Sequence, residues 1–232
     1  MAFRFSSLLF LFAELVTNAF ALPVDLEARQ SVSTLSAAEV SAYKPIPVLT
    51  DLDFNFEPLR PSLFPGVSSS IRTHDGFGDA HAASANAVLA AVRTGLSTHG
   101  TNQVTITGHS LGGAIAIIET VHLAVQIPGV NLRTITYGSP RVGNQAFIDY
   151  ANGRGVMNRI NNKRDPVPIL PGRFLNFGHT EGEIHIVDSN AWVSCPGQDN
   201  TNSQCTIGYV PSVPGNVADH LGPYDEVYLG LC

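Results

Sequence analysis

Charge is scarce in this sequence, and basic charge is scarcest. Only 14% of the 232 residues are charged; 13 Lys and Arg stand against 19 Asp and Glu, a formal net charge of −6. No basic stripe runs along any segment, which excludes a nucleic-acid surface built on phosphate neutralisation. Internal repeats and low-complexity tracts are absent, so neither a solenoid nor a disordered chain is expected. No phosphate cradle or dinucleotide fingerprint occurs, and no His, Cys or Asp set has metal-ligand spacing. No cofactor and no metal are therefore expected. Beyond the N-terminus no apolar run is long enough to cross a bilayer. Cysteine is rare: Cys195, Cys205 and Cys232 are the only three.

What is present is apolar and regular. The apolar set reaches 44%, enough to pack a core, and the length suits one domain. The first residues read as an export signal over 1–21. Arg4 gives the positive start, Ser7 to Val16 the apolar centre, and Ala19-Phe20-Ala21 the small-residue cleavage pattern. Leu22–Arg29 reads as a short further segment removed with it, so residues 22–30 are expected as a propeptide and 31–232 as the domain. In an oxidising compartment Cys195 and Cys205, flanking a Pro-Gly-Gln-Asp-Asn loop, are placed to pair; Cys232 is left over.

Within residues 31–74 the stretch KPIPVLTDLDFNFEPLRPSLFPG holds five prolines and predicts no long element; one short strand is predicted after it, near Val67–Thr73. Phe54, Phe56, Leu59 and Phe64 within it fit either an acyl groove or plain packing. Periodicity predicts a helix over Asp79–Ser97, with Ala85, Val88, Leu89, Val92 and Leu96 on one face. Strands are predicted at Gln103–Thr107, Leu132–Pro140, Val156–Asn162 and Glu183–Val187. Between them lie a helix carrying Ala114, Ile118, Val121 and Val125 inward and Glu119, His122 and Gln126 on its wet side, and a short helix at Gln145–Tyr150. Strands alternating with helices predict an α/β fold, a mainly parallel sheet with helices on both faces.

One corner of this pattern carries chemistry. Gly108-His109-Ser110-Leu111-Gly112 lies where a strand enters and a helix leaves. A sharp strand-to-helix turn forces strained backbone angles and holds the serine oxygen clear of the sheet, beside the positive end of the helix. There the Leu111 N–H can meet a developing oxyanion. A serine hydroxyl needs a base, and the base a carboxylate to orient it. On such a sheet the partners follow in the order Ser, acid, His. Asp165 directly follows the third strand and opens DPVPILP, ahead of Asp188, Asp149 and Asp199 as the acid. His220, late and in an irregular stretch, precedes His179 as the base; His185 falls inside a strand, and His109 cannot turn onto its neighbour's oxygen. Ile169, Leu170 and Leu221, beside the acid and the base, are candidate walls of an acyl pocket. Arg141 reads as structural.

Four blocks, TITGHSLGGAIA, YGSPRVGNQAF, NNKRDPVPILPG and DHLGPY, together resemble the secreted fungal class 3 lipases over about residues 70–232. The resemblance implies an α/β-hydrolase fold, secretion, and action on carboxylic esters, typically acylglycerols at a lipid–water interface. It implies Ser110 as nucleophile, Asp165 as acid, His220 as base and Leu111 N–H as one oxyanion donor. A related branch cleaves feruloyl esters, and the blocks leave that activity and short-chain esters open. The family's strands before the first helix, its Gly-Ser/Thr second oxyanion donor, its lid and its N-terminal cysteine have no counterpart in 31–73. An internal block is thus expected to be missing, leaving a weakened esterase or, in the competing reading, a non-catalytic lipid-binding remnant.

Overall fold

The structure is a computed structural model; it describes residues 54–210 and 215–229, together with the backbone of Phe10–Phe12. A six-stranded sheet runs in the order β1 (Phe10–Phe12), β4 (Gln103–His109), β5 (Asn131–Tyr137), β6 (Val156–Asn162), β7 (Glu183–Ile186), β8 (Trp192–Cys195). The first five strands in that order are parallel and β8 closes the edge antiparallel to β7. Two short strands, β2 (Phe56–Pro58) and β3 (Arg72–His74), pair separately. The predicted strand near Val67–Thr73 is thus shorter and later. β8 went unpredicted because its four residues alternate without a buried face until Cys195.

The export signal and propeptide expected over 1–30 lie outside the described residues, apart from the backbone of Phe10–Phe12. That segment lies alongside β4 with Phe10 opposite Thr105. Cys232 lies outside them too.

Helix α1 (Asp75–His99) starts earlier than its apolar periodicity predicts, because His74 Nδ1 accepts a bond from Gly76 N and caps the first turn. Gly100 ends it in the left-handed conformation, φ +58°. Ala85, Leu89 and Val92 are buried as the pattern predicts.

Helix α2 (Leu111–Gln126) overturns one expectation. It is buried all round from Leu111 to Leu123, including Glu119 and His122. α2 lies between α1 on one side and β4 and β5 on the other, so the side opposite the sheet meets another helix rather than water. Val104, Ile106, Leu132 and Thr134 present the covered face of the sheet; Thr105, Thr107 and Ile135 on the other face are only half-buried. Each fully buried Ile or Leu along α2 contributes about 1.5–3 kcal/mol, which fixes the helix whose first turn carries the serine. Helix α3 (Gln145–Asn152), capped by the Asn144 side chain on Phe147 N, packs Phe147, Ile148 and Ala151 into the same core.

Phe54, Phe56, Leu59 and Phe64 turn out to pack. Leu59 and Phe64 are in the core, Phe56 stacks on Phe177, and Phe54 meets His74 edge-on.

Candidate active site

Ser110 sits between β4 and α2 with φ 56° and ψ −125°. A positive φ is costly for any residue with a Cβ and persists only where the surroundings impose it. Here Ser110 N donates to Tyr137 O at 3.0 Å, and Ser110 O takes the helical bond from Gly113 N at 2.9 Å. The turn is tight enough that a Cβ on Gly108 would fall 2.1 Å from Gly112 O, and one on Gly113 would fall 2.9 Å from Ser139 Cβ. No side chain caps α2, so the N–H groups of Leu111 and Gly112, ahead of the first helical bond from Gly113, have no helical acceptor and face the serine end. The Ser110 hydroxyl itself holds no hydrogen bond among the described residues.

The other two predicted residues meet directly. Asp165 is 1% exposed at the end of β6, and its Oδ2 accepts from His220 Nδ1 at 2.9 Å. Its Oδ1 accepts from Val167 N at 2.8 Å. With Nδ1–H committed to the carboxylate, the lone pair of neutral His220 falls on Nε2, the nitrogen a general base needs. His220 lies on the one-turn helix α5 (Ala218–Leu221), which follows α4 (Thr206–Tyr209).

The end of β5 lies between the Ser110 turn and this pair. Its backbone is bonded to Tyr137, and the next residue, Gly138, has φ +54°. A Cβ on Gly138 would stand 2.7 Å from Asp165 Oδ2, 2.8 Å from His220 Nδ1 and 2.9 Å from the Tyr224 hydroxyl. The glycine makes room for the acid–histidine contact. Sequence reasoning missed it, although a glycine directly after a strand, in YGSP, was the available signal.

Two further residues hold the histidine. His109 Nε2 donates to His220 O at 2.8 Å, and the two rings lie 4.5 Å apart. Burial, and then the proximity of His220, hold His109 below the usual histidine pKa, which favours the neutral form that makes this bond. Tyr224, 4% exposed, donates from its hydroxyl to the same carbonyl at 3.3 Å. Burial pushes its phenol well up, so the donor proton stays in place. His109 therefore bonds the His220 backbone rather than Ser110.

The loop after Asp165 is fixed by more than its prolines. Arg141, 2% exposed, bonds its Nη1 to Ile169 O and Pro171 O, its backbone N to Leu170 O, and its Nε to Asp199 Oδ1 at 2.9 Å. His179 Nε2 donates to Pro168 O at 2.6 Å. Arg141 is structural, as expected, and His179 and Asp199 serve the loop rather than the reaction. Asp188 is exposed beside Arg164, Asp149 is bonded within α3, and His185 is buried in β7. Ile169, Leu170 and Leu221 are half-buried. A hollow nearby in sequence is lined instead by Asn144, Gln145, Arg173, Phe177 and Asp199, and none of the three borders it. Cys195 and Cys205 form the expected disulfide. Titratable side chains also gather away from this site, where His81 meets Glu119 and His122.

Elbow, acid and histidine gather at the carboxyl ends of β4, β5 and β6, the end of a parallel sheet where ligands bind. The arrangement can activate a hydroxyl beside a helix N-terminus.

The profile of the class 3 lipases, "Lipase (class 3)", matches residues 41–175. A lipase of Rhizomucor miehei is 35% identical over 185 residues, covering 78% of this chain and 49% of the relative. A secreted mono- and diacylglycerol lipase of Malassezia globosa is 26% identical over 218 residues, 92% of this chain and 67% of its own. The solved structure of the Rhizomucor miehei triacylglyceride lipase superposes with a TM-score of 0.68 at 32% identity, covering 79% of this chain and 68% of that one. The chain spans about half the length of the Rhizomucor relative.

Proposed function

As the chain belongs to the class 3 lipase family, with the α/β-hydrolase fold, we propose that it is a secreted serine carboxylic-ester hydrolase acting on acylglycerols. One observation carries the reading: a strained serine elbow beside a helix N-terminus stands at the same sheet end as the Asp165–His220 hydrogen bond. Ser110 Oγ attacks the ester carbonyl while His220 Nε2 takes its proton. Asp165 keeps the imidazole oriented and stabilises the imidazolium. The carbonyl oxygen becomes an oxyanion at the Leu111 N–H. Collapse breaks the ester C–O bond, and His220 returns the proton to the departing alcohol. Water, deprotonated by His220, then cleaves the acyl-serine to release the fatty acid.

Val217, Val227 and Tyr228, close to His220 in sequence, are exposed and apolar, which suits action at a lipid–water interface. The second oxyanion donor has no identified residue. A site with one donor fewer is slower by about 10²–10³-fold, or about 3–4 kcal/mol.

The test compares the chain with Ser110→Ala on acylglycerol emulsions and on p-nitrophenyl esters of graded acyl length. Hydrolysis is expected to fall by about a thousandfold or more in the variant. Equal rates in the two proteins would replace the hydrolase with a lipid-binding remnant. Turnover of feruloyl or acetyl esters alone would move the substrate class.

A further inference from the structure

Helices α1 and α2 face each other through three side chains that the hydrolase chemistry does not use. His81 lies on the buried stripe of α1, one turn from Phe77 and one from Ala85. Glu119 and His122 are three residues apart on α2 and share a face. His81 Nε2 stands 2.6 Å and His122 Nδ1 3.1 Å from the same carboxylate oxygen, Glu119 Oε2. Relative exposures are 1%, 5% and 0% for His81, Glu119 and His122.

This triad is not satisfied by its own hydrogen bonds. Glu119 Oε1 and His122 Nε2 are buried with no partner. Two neutral imidazoles that each donate to Oε2 leave a carboxylate oxygen and an imidazole nitrogen with unused lone pairs. A buried acceptor left in that state is costly. Burial alone would raise the carboxyl pKa of Glu119, yet the bonds from His122 and His81 outweigh it and hold the group ionised. The result is an anion flanked by two imidazoles in a dry helix interface.

We propose that His81, Glu119 and His122 bind one divalent first-row transition-metal ion, zinc foremost, which cross-links α1 to α2. Their donor atoms all lie within 4.8 Å of one another; ligands of a tetrahedral ion with bonds of about 2.0–2.1 Å stand roughly 3.3 Å apart. Side-chain movements on the ångström scale convert the hydrogen-bonded triad to a coordinated one, each neutral imidazole binding through one nitrogen and keeping its single proton on the other. Two imidazoles and one carboxylate suit zinc, copper, nickel or iron rather than calcium or magnesium. A small hollow lies beside His81, bordered also by Glu57, Thr73, Phe64 and Gly78. The other cluster of potential ligands, Glu183 with Cys195 and Cys205, has its sulfurs joined in the disulfide and offers no thiolate.

Glu119 is nine residues along α2 from Ser110, roughly 13 Å at helical rise, so the ion would act on the scaffold and not on the ester. The experiment uses the intact chain with any affinity tag removed, stripped by chelator and titrated with Co²⁺ and then Zn²⁺. One equivalent of Co²⁺ is expected to give a visible d–d band that Zn²⁺ bleaches. Zinc at a hundredfold excess over its Kd should raise the unfolding midpoint by about 5–10 °C. The double variant Glu119→Gln/His122→Gln should lose both responses. A stripped wild-type chain with no band, no stoichiometric metal and an unmoved midpoint would reduce the triad to a proton-sharing contact. Undiminished binding by a folded double variant would place the ion elsewhere and overturn the assignment. Should that variant not fold, the wild-type spectrum and stoichiometry decide alone.

Discussion

Gly138 carries a demand that an inventory of reactive side chains does not reveal. Its φ of +54° disfavours any Cβ, and the space a Cβ would take is held by Asp165, His220 and Tyr224. Gly138→Ala is therefore expected to push the acid and histidine apart. We expect kcat to fall about a hundredfold through misplacement of the base, with KM little changed and the far-UV circular dichroism retained. Unaltered kcat in a folded Gly138→Ala protein would show that the pair tolerates the intrusion. The strand-to-helix corner at Ser110 and the loops that bring Asp165 to His220 were legible in the sequence because each places a reactive residue type at a recognisable turn. Gly138, Tyr224 and the bond from His109 were not, because they act by shape and through a backbone carbonyl.

At the scale of elements, α2 shows why periodicity misassigned Glu119 and His122. A polar pair on the side opposite the apolar stripe reads as a solvated face, but α1 covers that side and His81 meets them there. The period was right; the neighbour was not in the local sequence. The Cys195–Cys205 loop was read correctly because its ten-residue separation is itself local. What the loop does was not legible. It carries Asp199, which accepts from Arg141 Nε and from His179 N and so steadies the loop behind Asp165. Removing the disulfide is expected to cost about 2–3 kcal/mol by chain entropy. The double variant Cys195→Ser/Cys205→Ser should melt about 5–10 °C lower by scanning calorimetry, with a smaller loss of esterase rate than Ser110→Ala.

For the whole molecule, pH acts through buried groups. Burial holds the imidazole pKa of His109 and, further, that of His179 below the usual 6.5. Each is kept neutral by the fold, so the unfolded chain binds its proton first. Their contribution to stability is complete above pH 6.5 and is lost as the pH falls below it. Glu119, held below its usual 4.5, adds a second loss as the pH drops under that value. Glu57, raised by burial, slopes the opposite way near 4.5 but is the more exposed carboxyl. Urea unfolding at pH 8, 6.5, 5 and 3.5 is expected to give a plateau followed by two declines, each group contributing at most about 1.4 kcal/mol per pH unit. A stability that rises between pH 6.5 and 5 would contradict the neutral state assigned to both histidines.

The sequence alone determined the alternation of β4 to β7 with the helices between them, the serine corner and the Cys195–Cys205 disulfide, since each is written within about ten consecutive residues as a period, a turn or a spacing. Tertiary structure decided which distant groups meet. His81 reaches Glu119 across 38 residues, Asp165 reaches His220 across 55, and His109 reaches the His220 carbonyl across 111. Such contacts depend on how the sheet and its covering helices close in space, and no local pattern of side chains encodes that closure.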